Sequence, residues 1–95
     1  MSRFPPDVDP SRAAVAHAVT SARAALRISS AELGRRATAI AEARGISTRG
    51  LSKMALSRLE RGAADATAST LHALALALQV PVAQLLPELE SASTP

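Results

Sequence analysis

Apolar residues recur at helical spacing through most of the chain, and polar caps and glycines punctuate them. Val15, Val19, Ala22 and Leu26 stand 4, 3 and 4 residues apart, the spacing of one helix face. Asp9-Pro10 ahead of them reads as an N-cap followed by proline at the first helical position. The pattern therefore predicts a first helix running to about Arg27. A second begins at Ser29 or Ser30, because Ser29 and Glu32 have capping-box spacing. Leu33, Ala37, Ile40 and Ala41 give it an inner face, and Gly45 a stop. Residues 45–50 read as a connector with glycine at each end. Ser52 then caps a short helix that Gly62 ends. Thr67 caps the next, whose buried stripe is Leu71, Leu74 and Leu78. Val80-Pro81 breaks that helix, and Val82, Leu85 and Leu86 form a last short one before Pro87. Residues 1–9 read as a mobile arm and 90–95 as a frayed tail, which leaves 10–89 as one folded domain. No clear period-2 run of strand formers occurs. The expected fold class is all-α, a compact five-helix domain.

The helix between Ser52 and Gly62 has two unlike flanks. With Lys53 at zero and ~100° per residue, Ser57, Arg61, Met54 and Arg58 fall at about 40, 80, 100 and 140°. Ala55, Leu59 and Leu56 fall at about 200, 240 and 300°. One flank is small and apolar, and the other holds three cations, a hydroxyl and a thioether. Such a helix suits insertion into a major groove. It also suits a solvated basic face.

Composition narrows the classes. Ninety-five residues make one small domain. Hydrophobic residues reach 47% with a single aromatic, Phe4, so the core must be leucine, isoleucine, valine and alanine in closely packed helices. The absence of cysteine excludes a disulfide framework and a thiolate metal site. No apolar segment nears the ~20 residues that span a bilayer, and the N-terminus has no apolar signal region. A soluble cytoplasmic protein is expected. Residues 1–22 carry no net charge, residues 23–62 carry +6, and residues 63–95 carry −3 with no Lys or Arg. The positive charge thus concentrates around the two-faced helix, the footprint of a polyanion binder. Arginine outnumbers lysine ten to one, which suits bidentate phosphate and guanine contacts and equally fits a GC-rich genome.

Ile28-Ser-Ser-Ala-Glu-Leu33, Ala55-Leu-Ser-Arg-Leu-Glu-Arg-Gly62, Leu71-His-Ala-Leu-Ala-Leu-Ala-Leu-Gln-Val80 and Val82-Ala-Gln-Leu-Leu86 occur in that order. Together they resemble the lambda-repressor-like helix-turn-helix domain of the Cro and phage-repressor (XRE-type) family, over roughly residues 15–86. In that family the third helix reads bases in the major groove and the second lies across the phosphate backbone. The resemblance places Ser52 at the cap of the reading helix and Lys53, Met54, Ser57 and Arg58 at base-facing positions. It places Ser30 where a side chain meets phosphate and Arg61 where one approaches the backbone. Arg23 and Glu60 match an ion pair that ties the first helix to the reading helix. The departure is an unusually long second helix or turn. A second register therefore competes, in which Ala37–Leu56 is the bare motif, with Gly45 as turn glycine and Thr48 and Arg49 leading the reading helix. The first register is preferred because it accounts for the C-terminal helices and avoids Gly50 inside a short helix.

Lys53 and Arg58 can donate to guanine O6 and N7, arginine bidentately, and Met54 can contact a thymine methyl. Met54 could also be a core filler. Ser30, Arg35, Arg49, Ser52 and Arg61 are candidates for the phosphate backbone, which positions without specifying sequence. His17 and His72 are isolated among alanines and leucines and read as helix residues, not ligands or bases. No nucleophile elbow, phosphate-cradling loop or paired catalytic carboxylates are present. The expectation is a non-enzyme with neither cofactor nor metal. One small domain makes few base contacts, so a homodimer on two half-sites is expected, with the apolar Leu71–Leu89 region as interface. Those leucines could instead close the core. The expected function is a sequence-specific double-stranded DNA-binding transcriptional regulator, a repressor on an inverted repeat. The alternatives are the antitoxin of a toxin pair, with a protein partner, and an RNA-binding module. The last is disfavoured by the lack of aromatics on which bases could stack.

Overall fold

Three hydroxyl side chains set where the helices begin. Ser29 Oγ accepts the Glu32 N–H at 3.0 Å, Ser52 Oγ that of Ala55 at 3.2 Å, and Thr67 Oγ1 that of Thr70 at 3.2 Å. Each satisfies a first-turn N–H that has no partner inside its own helix. The computed structural model describes residues 10–85. The arm at 1–9, the Asp9 cap, Leu86, Leu89 and the tail at 90–95 lie outside the described residues. The described chain is all-helical, with α1 Pro10–Leu26, α2 Ser30–Arg44, α3 Lys53–Glu60, α4 Ala68–Leu78 and α5 Val82–Leu85. No strand occurs among the described residues, and no helix among them is long and apolar enough to cross a membrane.

The capping box at α2 is half-formed. Glu32 does not turn back to the Ser29 backbone but takes Arg36 at 2.9 Å and Arg35 at 2.6 Å. Two guanidiniums one turn along offer a stronger, charge-assisted contact than one backbone amide. Gly45 ends α2 in the left-handed region (φ 69°), where the absence of Cβ removes the strain. Gln79 ends α4 in the same region (φ 61°), before the expected break at Val80-Pro81. The Val80 N–H then reaches back to the Ala75 carbonyl at 3.0 Å and closes the helix end.

The core is centred on α4. Its predicted stripe of Leu71, Leu74 and Leu78 is buried, and Ala73, Ala75 and Ala77 are buried as well. Alanine on a helix face lets neighbouring helices come close, and α4 packs against α1, α2 and α5. Val19, Leu33, Ala37, Ala41 and Leu85 complete the core, while Val15, Leu26 and Ile40 are half-buried at its edge. Of the two uses open to the C-terminal leucines, dimer interface or core, 71, 74, 78 and 85 take the second and are buried in the monomer's own core. Leu76 is half-buried on the same helix.

The connector between α2 and α3 is more ordered than its glycines suggest. Arg49–Leu51 forms a 3-10 turn, and Leu51 is buried. Gly50 makes this possible, since a Cβ there would overlap Thr70 Oγ1 and stand 3.3 Å from Thr70 Cβ. Thr70 is itself buried, and its hydroxyl accepts a hydrogen bond from Thr67 at 3.0 Å. Gly50→Ala is therefore expected to lower stability by about 1–2 kcal/mol, as overpacking does. Urea unfolding checks this, and an unchanged midpoint would mean that Thr70 turns aside freely.

Candidate functional site

α3 is eight residues long and anchored by Leu56 and Leu59, both buried. Lys53, Ser57 and Arg58 are exposed, and Met54 is 66% exposed. All four expected base-facing side chains therefore share the outward flank, and Met54 fills no core. The helix starts at Lys53, after an extended Ser52 (ψ 158°). Thr48 and Arg49 do not lead it, as the competing register requires. Arg49 is exposed on the 3-10 turn instead.

The end of α3 is clasped to α1 and α2. Arg23 NH2 lies 3.2 Å from Glu60 Oε1, with side-chain exposures of only 24% and 9%. The same oxygen accepts the Ser30 hydroxyl at 3.0 Å. Arg23 NH1 donates to the Ile28 carbonyl at 2.9 Å, which the left-handed Arg27 (φ 56°) brings round at the end of α1. Arg23 Nε and Glu60 Oε2 are buried without partners. Such burial removes the pair from the surface class worth under ~1 kcal/mol. Ser30, expected at phosphate, gives its one O–H to Glu60, so the clasp and a phosphate compete for it.

Between α2 and α3 runs a groove of about 790 Å3. Lys53, Ser57 and Arg61 line its α3 side and Ala31, Gly34 and Thr38 its α2 side, while Leu51 and Leu56 lie buried beneath its floor. Arg35, Ser52 and Glu42 also line it, while Met54, Arg58 and Arg49 do not. The expected reading face is thus two rows, with Lys53, Ser57 and Arg61 along the groove and Met54 and Arg58 beyond it. The groove itself has no periodic signature in the chain. Gly34 is its one local hint, since glycine inside a helix costs stability that alanine would keep.

The charges are not balanced on this side. Arg35 and Arg36 share one carboxylate, and their hydrogen bonds, Arg35 first, hold the Glu32 carboxyl below its ordinary range. Arg12 does the same for Asp65 through contacts of 2.8 and 3.0 Å. Among the described residues no carboxylate pairs with Arg49, Lys53, Arg58 or Arg61. Arg61 Nε donates instead to the Ser57 carbonyl at 3.3 Å. His17 and His72 are exposed helix residues. No three metal-ligating side chains gather among the described residues.

No family model, curated protein or solved structure matches this chain. What the face can do follows from its side chains. Guanidinium and ammonium groups only donate, and serine can donate as well. The outward flank of α3 therefore complements acceptor-rich surfaces such as phosphates and the major-groove edge of guanine.

Proposed function

We propose that the protein binds double-stranded DNA sequence-specifically through α3 and regulates transcription in the cytoplasm. The observation that carries this reading is the outward flank of α3. Lys53, Met54, Ser57, Arg58 and Arg61 are all exposed there, over a buried Leu56–Leu59 anchor and with no paired acid among them. Arg58 and Lys53 would donate to guanine, Met54 would cover a thymine methyl, and Ser57 would bond either base type. Arg61, Arg49 and Arg35 would hold the phosphates. The Arg23–Glu60 clasp would fix the angle at which α3 leaves the body. A single module of this size reads few base pairs, so a homodimer on an inverted repeat supplies the missing discrimination. Leu76, Val80 and Val82 on the α4–α5 side are half-buried, the two valines against the core, and their outer edges would be the apolar part of such an interface. Occluding polymerase, and hence repression, needs no further domain.

Selection from a random duplex library tests the reading, and an enriched inverted repeat is expected. On that sequence Arg58→Ala should lose discrimination at one or two base pairs, costing roughly 1–3 kcal/mol. Arg61→Ala should weaken all sequences alike and flatten the dependence of log K on log salt. If no duplex is enriched, and binding to random DNA is no tighter than that of the Arg58→Ala variant, the proposal is wrong.

A further inference from the structure

Met54 is the one large apolar side chain left exposed among the described residues. It stands on the outward flank of α3, outside the groove, with Arg58 four residues further along the helix. Residues at that spacing are surface neighbours, with Cβ atoms about 6 Å apart. Arg58 is exposed as well, and among the described residues no carboxylate pairs with it. The chain has no cysteine, tryptophan or tyrosine and two methionines, Met1 and Met54. The sulfur of the described domain is therefore a single accessible thioether. Such a soft, polarizable atom is what two-electron oxidants attack.

We infer that Met54 is a site of reversible oxidation whose product changes which bases α3 reads, and this rests on the DNA-binding reading of that face. The sulfur gives an electron pair to one oxygen of hydrogen peroxide. The O–O bond breaks, and the other oxygen takes the proton and leaves as water. The sulfoxide returns to the thioether when a dithiol is oxidised to a disulfide and the oxygen departs as water, the reaction of methionine sulfoxide reductases. The fold does not oppose the change, because Met54 fills no core and the new polar oxygen meets water. Two contacts with DNA are then lost together. The sulfoxide oxygen is a hydrogen-bond acceptor and no longer matches the apolar thymine methyl. It also stands one turn from the Arg58 guanidinium, which only donates, and holds that side chain away from guanine O6 and N7. An acceptor at this position complements the amino group of adenine or cytosine instead.

The test uses the full chain, hydrogen peroxide and the duplex that selection enriches. Peptide mapping by mass spectrometry is expected to show Met54 oxidised at nearly the rate of a free methionine amide, with the melting temperature kept. Oxidation is expected to weaken the enriched duplex about tenfold, the loss of a good base contact. Met54→Gln sets an amide oxygen where the sulfoxide oxygen would stand, and should weaken the duplex as much without peroxide. Met54→Leu, whatever its own starting affinity, should be unchanged by the same treatment, although Met1 still oxidises. Arg58→Ala has no guanidinium to divert and should lose less on oxidation than the parent. A sulfoxide reductase with dithiothreitol should restore the parent's binding. Unchanged binding with Met54 fully oxidised, or an equal loss in Met54→Leu, would overturn the inference. So would a fall in melting temperature on oxidation, since the weakened binding would then report unfolding. A chain that binds no duplex before oxidation sinks the DNA reading itself, and the role of Met54 with it.

Discussion

Leu74→Ala is expected to lower the stability of the domain by about 3–5 kcal/mol, the upper part of the range for leucine truncation. Leu74 is fully buried on α4, the helix that packs against α1, α2 and α5. Its removal leaves a cavity whose size depends on whether the neighbours can close it. Here they cannot readily do so. Much of the surrounding core is alanine (Ala37, Ala41, Ala73, Ala75 and Ala77), which has no side-chain rotamers with which to refill space. The chain's one aromatic, Phe4, lies outside the described residues. A domain of this size has only about 5–14 kcal/mol in all, so the variant should unfold at a much lower urea midpoint. Leu76→Ala, half-buried on the same helix, serves as the control and should cost far less. A loss under about 1 kcal/mol for Leu74 would mean that α4 is not the centre of the core.

The parts of this architecture that were legible in the chain are those fixed by neighbours in sequence. Ser29, Ser52 and Thr67 announce helix starts because a cap bonds an amide only three residues ahead. The leucine stripe of α4 is legible because one helix face repeats. The outward set on α3 is legible for the same reason. Arg27 and Gln79 were not, because each holds a left-handed conformation that sequence usually gives to glycine. The 3-10 turn at Arg49–Leu51 was read as plain connector, since it depends on Gly50 meeting Thr70, a contact between distant parts of the chain. The groove was invisible for a deeper reason. It is a space between two helices, and no periodicity within either one records the distance to the other. Ser30 shows the same limit, since no local pattern announces that its hydroxyl donates to Glu60, thirty residues away.

Glu60 offers the sharpest test of how α3 is held. Glu60→Ala is expected to cost about 3 kcal/mol, because it leaves Arg23 largely buried with no counter-charge. The figure sits at the low end for a broken buried pair because Arg23 keeps 24% of its side chain exposed and can recruit some water. Ser30 loses its acceptor in the same variant. The pair is not thereby a net source of stability, since taking both charges out of water is itself costly. Arg23→Met combined with Glu60→Leu should therefore recover most of the loss, and a double-mutant cycle on urea unfolding measures the difference. If Glu60→Ala costs as little as an exposed pair, under ~1 kcal/mol, then the clasp is solvated and does not set the angle of α3. If the apolar double variant is stable yet binds duplex DNA as well as the parent, the charges orient nothing. The combination expected is restored stability with weakened binding. That outcome would separate what holds the helix in place from what aims it.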